Sequence, residues 1–213
     1  MTTDPPTCIL VIAKAPEPGR VKTRLCPPLT PQQAAELAEA ALRDTLEAVA
    51  ASPARRRVLV LAGEPGEWLP EGFEVVRQFG DGLDDRLANA FDTDDGPCLL
   101  IGMDTPQVTP ELMAPALAVD AWRGVDAWFG PALDGGFWAL GLARPRPDLI
   151  RGVPMSRSDT GRIQRRRLIA AGLSVRDLPP LTDVDTVSDV ADVVALTGSG
   201  AFAREVDRIG VLK

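Results

Sequence analysis

The chain has 213 residues, 45% hydrophobic and 25% charged, an ordinary globular composition that can bury roughly 70% of its unfolded surface without disulfides or metal. Its formal charge of −7 argues against a general nucleic-acid binder, which is normally basic. There is no His and no Tyr, and Cys8, Cys26 and Cys98 form no CxxC pair, so Ser-His-Asp triads, Cys-His dyads, His-based metal sites, zinc ribbons and disulfide frameworks are excluded.

Residues 1–7 lack a basic leader, and no apolar run is long enough to span a bilayer, so the expectation is a cytoplasmic protein without a membrane partner. The first strand is expected at Cys8–Ala13, apolar at every position as in a strand covered on both faces. Thr30-Pro31-Gln32-Gln33 then reads as a capping box with proline at N1, opening a helix through Ala51. Strands follow at Arg57–Ala62 and, more weakly, Phe73–Arg77. A short helix over Asp84–Phe91 precedes a strand at Pro97–Gly102, and Thr109-Pro110 caps a helix through Val119. Further strands are expected at Asp126–Phe129, Gly136–Leu142 and Leu173–Leu178, with a helix over Thr160–Ala171 closed by Gly172. Thr186 caps a helix to about Leu196, and Ala201–Ile209 is one more. This alternation specifies a single α/β domain over 1–213, with a sheet mostly parallel in its first half. Ligands of such sheets bind where strand carboxyl ends lead into loops, which directs attention to the loops after Ala13, Gly102 and Leu178.

The first of these, Ala13–Leu25, carries Lys14, Arg20, Lys22 and Arg24, while the whole chain has only three lysines, the third being Lys213. Such a cluster, with loop amides around Gly19, suits a phosphate cradle better than a solvated charge run. It contains neither a Walker loop nor GxGxxG. Asp104 follows the fourth strand, where an Asp either binds a divalent ion bridging phosphates or caps the turn before the next helix. Asp183 and Asp185 share one face of an extended segment, a spacing that serves one ion or decorates a helix N-terminus. Asp134-Gly135-Gly136 is either a turn or a site acid. Gln78-Phe-Gly80-Asp-Gly82, followed by Arg86, lets a backbone approach a flat ligand, with Gln78 facing a base edge, or is simply a helix entry. Any metal site would be carboxylate-based, which means Mg²⁺ or Mn²⁺.

Together the segments AKAPEPGRVKTRL, GMDTP, GPALDGGFW and LPPLTDVDT resemble the signatures of a bacterial family of glycosyltransferase-A-like transferases, often called radical-SAM/selenodomain-associated transferases, whose founding domain is of unknown function. The resemblance spans about Cys8 to Val194. The KTRL and DVDT pieces are also similar to phospholactate guanylyltransferases, and the first loop to molybdopterin-guanylyltransferase-like and sugar-1-phosphate nucleotidyltransferases. The resemblance implies a nucleotide-diphospho-sugar transferase (GT-A) fold, a Rossmann-like mixed sheet with helices on both faces. It implies that Lys14, Arg20, Lys22 and Arg24 meet the donor phosphates, with Pro16, Gly19 and Thr23 in the same binding loop. Gln78 and Gly82 would lie near the base, Asp104 would match the last Asp of a metal-binding DxD element, and Asp185 would be a second metal or acceptor ligand. Met155-Ser156 departs from the Trp-Ser of many relatives, at the acceptor side.

The leading expectation is nucleotidyl transfer from a nucleoside triphosphate to a small phosphorylated acceptor, with Lys22, Arg20 and Asp104 carrying catalysis through charge neutralisation and Mg²⁺ or Mn²⁺ held by Asp104 and Asp185. The first alternative is a glycosyltransferase using a nucleotide sugar, with Asp134 near the acceptor; the second is a nucleotide-binding module without turnover.

Overall fold

The computed structural model describes residues 5–212. Residues 1–4, part of the segment read for a targeting signal, and Lys213 lie outside the described residues. Seven strands, β1 (Cys8–Lys14), β2 (Arg56–Ala62), β3 (Glu74–Arg77), β4 (Cys98–Ile101), β5 (Ala127–Pro131), β6 (Phe137–Leu142) and β7 (Val175–Asp177), form one sheet in the order β3-β2-β1-β4-β6-β5-β7. β1 pairs in parallel with both β2 and β4, and β2 with β3. β6 pairs antiparallel with β4 and β5, and β5 is parallel to β7, so every strand but β6 runs one way. This is the expected mixed, mostly parallel Rossmann-like sheet.

The apolar run of β1 divides between two cores because successive side chains face opposite ways. Ile9, Val11 and Ala13 pack with Leu42, Leu46 and Val49 of α1 (Pro31–Ala51) and with Met113, Ala116 and Leu117 of α3 (Pro110–Leu117). Cys8, Leu10 and Ile12 pack on the other face, against Leu87, Ala88 and Phe91 of α2 (Leu83–Phe91) and Leu168 of α4 (Thr160–Ala170). The outer side of α1, through Leu37 and Ala41, meets Val190 and Val193 of α5 (Val187–Val194) and Phe202 and Val206 of α6 (Ala201–Ile209).

Caps set the helix starts. Thr30 accepts from Gln33 N while the Gln33 side chain accepts from Thr30 N, the capping box expected for α1. Asp44 of α1 caps α6, accepting from Ala201 N at 2.7 Å and Phe202 N at 2.9 Å. α3 stops at Leu117, two residues short of the expected end at Val119, because Ala118 turns to ψ 151° and leaves the helical region; Pro115 inside the helix removes only the bond that would reach Glu111 O. Among the described residues no helix is long and apolar enough to cross a membrane.

Candidate functional site

Because all strands but β6 share a direction, their carboxyl ends share one edge of the sheet, and every residue singled out for chemistry lies on or beside that edge. The loop after β1 runs along it. Lys14 is the last residue of β1, and a turn closes where Arg20 N donates to Glu17 O at 3.0 Å, with Gly19 at φ 76°. That positive φ, rather than crowding, is what calls for glycine, since a Cβ there would meet nothing within 4 Å. Val21 is buried and anchors the far side of the turn. Lys22 then takes a left-handed backbone conformation, φ 48° and ψ 35°, before a short 3-10 turn at Thr23–Leu25.

This path divides the four cations into two places. Lys14 and Arg20 line a cavity of about 340 Å³ at the ends of β1, β2 and β3, together with Glu17, Gly63, Gln78 and Arg86. The Gln78 amide nitrogen donates to Ala13 O at 3.2 Å and Val60 O at 3.4 Å, which fixes the side chain across the β1–β2 end. Exposed Phe79 and Gly80 complete the wall, and Arg86 Nε donates to Gly80 O at 3.0 Å. Gly82 does not line the cavity; it is the N-cap of α2. Arg20 is exposed and pairs with Glu17 at 2.8 Å.

Lys22 and Arg24 lie instead among carboxylates at the ends of β4, β5 and β7. Val184 N donates to Asp104 O at 3.0 Å, which fastens the segment after β7 to the loop after β4. The alternation of Asp183-Val184-Asp185 buries Val184 and leaves both acids on the opposite face. The Lys22 ammonium, its side chain only 5% exposed, lies 2.6 Å from Asp104 Oδ1 and 3.4 Å from Asp185 Oδ1. Arg24 Nη1 holds the other Asp185 oxygen at 2.9 Å. Burial works against the Lys22 charge, but Asp104, Asp185 and Asp183 outweigh it and raise its pKa above the ordinary lysine value. For half-buried Asp183 the balance is opposite. Desolvation first, then the negative charges of Asp104 and Asp134, push its pKa up to about 7 despite the nearby Lys22.

Asp134 reaches this group from the β5–β6 turn, where its Oδ1 accepts from Gly136 N at 2.8 Å. The turn is packed against the start of α4, with Gly161 N donating to Gly135 O at 2.8 Å. A Cβ on Gly135 would stand 1.9 Å from Ser158 O, so this glycine serves a close backbone approach as well as the turn. Pro16 is half-buried within the loop, and Gly19 and Thr23 are exposed.

The structure therefore gathers Asp104, Asp134, Asp183 and Asp185 at one end of the edge, with Lys22 inserted among them. It separates Lys14 and Arg20 from Lys22 and Arg24, which the linear sequence presents as one cluster. Glu17 and Gly63 joined the cavity without a sequence argument; the position of Gly63 just past β2 was the available signal.

Asp104 and Asp185 are two carboxylates directed at one positive centre, an arrangement that could hold a hard cation. Among the described residues no three His, Cys, Asp or Glu side chains converge as a closed metal cage. With two protein carboxylates, a divalent ion here would need water or ligand oxygens to complete its shell, the usual habit of Mg²⁺.

Comparison with known proteins agrees with this architecture. The profile of a family described as "Uncharacterized protein conserved in bacteria (DUF2064)" matches residues 33–157, more than half of the chain. A candidate nucleotide-diphospho-sugar transferase from Desulfovibrio desulfuricans G20 superposes with a TM-score of 0.82 at 29% identity, over 95% of this chain and 96% of the other. The 2-C-methyl-D-erythritol 4-phosphate cytidylyltransferase of Thermus thermophilus shares the fold, with a TM-score of 0.54, 16% identity and coverage of 91% and 98%. So does a cytidylyltransferase from Leptospira borgpetersenii serovar Hardjo-bovis, with a TM-score of 0.55, 15% identity and coverage of 97% and 93%. No curated protein matches the chain significantly.

Proposed function

This chain belongs to the DUF2064 family, and on that premise we propose that it is a metal-dependent transferase that moves a nucleoside monophosphate from a nucleoside triphosphate to a small phosphorylated acceptor. The observation that carries the reading is that one loop, residues 14–24, supplies cations both to the cavity at the β1–β3 ends and to the carboxylate group at the β4–β7 ends. A nucleotide whose base enters the cavity near Gln78 and Phe79 has its phosphates directed along that loop. Lys14, Arg20 and Arg86 give the cavity three cations against one acid, Glu17, which favours a polyanion.

In this reading an acceptor phosphate oxygen attacks the α-phosphorus. The new P–O bond forms as the bond to the β-phosphate breaks, and pyrophosphate leaves with the electron pair. No side chain needs to bond to phosphorus; positioning and charge neutralisation suffice. Lys14 and Arg20 hold the phosphate tail and offset the charge developing on the leaving group. Lys22 serves the same charge from the carboxylate side. Asp104 and Asp185 would hold Mg²⁺ or Mn²⁺, which neutralises the phosphates and polarises the phosphoryl oxygens.

Sugar transfer from a nucleotide-diphospho-sugar is the second reading, favoured by the name of the 29% identical relative. There the same loop grips a diphosphate, and Asp134 faces the acceptor as base or stabiliser. A thermal-shift panel of nucleoside triphosphates and sugar nucleotides, each with Mg²⁺ or Mn²⁺, followed by phosphorus NMR of the turnover products, separates the two. Pyrophosphate release supports the first reading and nucleoside diphosphate release the second. Stabilisation by neither class would refute both.

A further inference from the structure

The position of Lys22 carries a consequence for how ligands enter. Its backbone occupies the left-handed region, shared among non-glycine described residues only by Ser156. Its ammonium is nearly sealed from solvent and touches Oδ1 of both Asp104 and Asp185, the carboxylates proposed above as the metal pair. Lys22 is the only cation paired with Asp104 among the described residues, whereas Asp185 also has exposed Arg24 on its second oxygen. At 2.6 Å from Asp104 Oδ1 and 3.4 Å from Asp185 Oδ1, the nitrogen occupies the point between the two facing oxygens from which one ion would bridge both carboxylates. Two cations cannot share that point.

Moving the ammonium away from its carboxylates without a new counter-charge would leave a buried cation unpaired, which is strongly unfavourable. The phosphates of a nucleotide lying along residues 14–24 are the anions in reach. We propose that Lys22 is an internal counter-cation that a divalent ion bridging Asp104 and Asp185 must displace and that nucleotide phosphates must receive, which makes it the residue coupling metal binding to nucleotide binding. This inference rests on the assignment of Asp104 and Asp185 as the metal pair. Coupling of this kind is reciprocal: phosphates that take Lys22 free the carboxylates, and an ion that takes the carboxylates offers Lys22 to the phosphates.

The test is direct binding of Mn²⁺ without nucleotide, followed by the electron paramagnetic resonance signal of free Mn²⁺. It compares the wild-type chain, Lys22→Met, Lys22→Gln and the double variant Lys22→Met/Asp104→Asn, each checked for folding by circular dichroism. Both single variants should bind Mn²⁺ more tightly than wild type, on the order of tenfold, and the double variant should lose that gain. Equal or weaker binding in the single variants, still dependent on Asp104, would overturn the role of Lys22 and leave the metal pair standing. Absence of any Asp104-dependent Mn²⁺ binding would overturn the metal pair itself, and the inference with it. A second measurement needs no variant, because three lysines make the side-chain NMR signals assignable. In the wild-type protein the Lys22 ε-methylene signal should move when Mg²⁺ and nucleoside triphosphate are added together and stay in place with Mg²⁺ alone at the same concentration. Full movement with Mg²⁺ alone would contradict the coupling.

Discussion

Replacement of Asp183 by Asn removes the one carboxyl of the site whose titration is strongly displaced. In the folded chain Asp183 holds its proton to about pH 7, because burial and the charges of Asp104 and Asp134 oppose ionisation. In the unfolded chain it ionises from its ordinary value of 3.8 upward. Between those limits the native state binds more protons than the unfolded state, so stability falls as pH rises through the window and is level above it. The displacement is about three pH units at about 1.4 kcal/mol each, an upper bound near 4 kcal/mol that partial exposure and screening reduce to about 2 kcal/mol. Asn cannot ionise and escapes this cost. Urea denaturation of both proteins at about pH 4 and about pH 8 should give Asp183→Asn a stability advantage that grows by about 2 kcal/mol across the interval, or about 4–8 °C in Tm. Parallel pH profiles for the two proteins would refute the reasoning.

Two further outcomes follow from single contacts. Lys14→Ala removes one cation from the cavity wall and should weaken nucleoside triphosphate binding about tenfold, near 1.5 kcal/mol for a charged hydrogen bond, with a shallower salt dependence; an unchanged Kd by calorimetry would place the phosphates elsewhere. Gly135→Ala sets a Cβ 1.9 Å from a backbone oxygen at a φ of 92°, and the loss of about 3 kcal/mol should lower Tm by about 6–12 °C; a Tm within a degree of wild type would show that the β5–β6 turn is not held against α4.

The elements legible in the sequence were those whose signals are local. The unbroken apolar run at Cys8–Ala13, short and bounded by turn residues, read as a strand covered on both faces, and the Thr30-Pro31-Gln33 box marked the first turn of α1 before any contact was known. The orientation of β6 was not legible, because a strand reads the same to its neighbours' apolar faces whether parallel or antiparallel. In the site, the acids at strand ends could be found from their positions alone. The division of the cationic loop could not. It depends on the positive φ at Gly19 and on the left-handed turn at Lys22, which carry Lys22 away from Lys14 and Arg20. Density of charge along the chain says nothing about such a reversal. The burial of Asp183 is likewise a property of the packed loops around Val184, invisible in a two-residue spacing.

The central claim is that carboxylates from separate loops hold a divalent ion under the phosphates of a nucleotide. Titration calorimetry of the triphosphate that best stabilises the protein, with and without Mg²⁺, tests it most directly in the wild-type chain and in Asp104→Ala. The account predicts that wild type binds the nucleotide tightly only with Mg²⁺ and that Asp104→Ala loses this dependence. Equal wild-type affinity in the presence and absence of Mg²⁺ would contradict it.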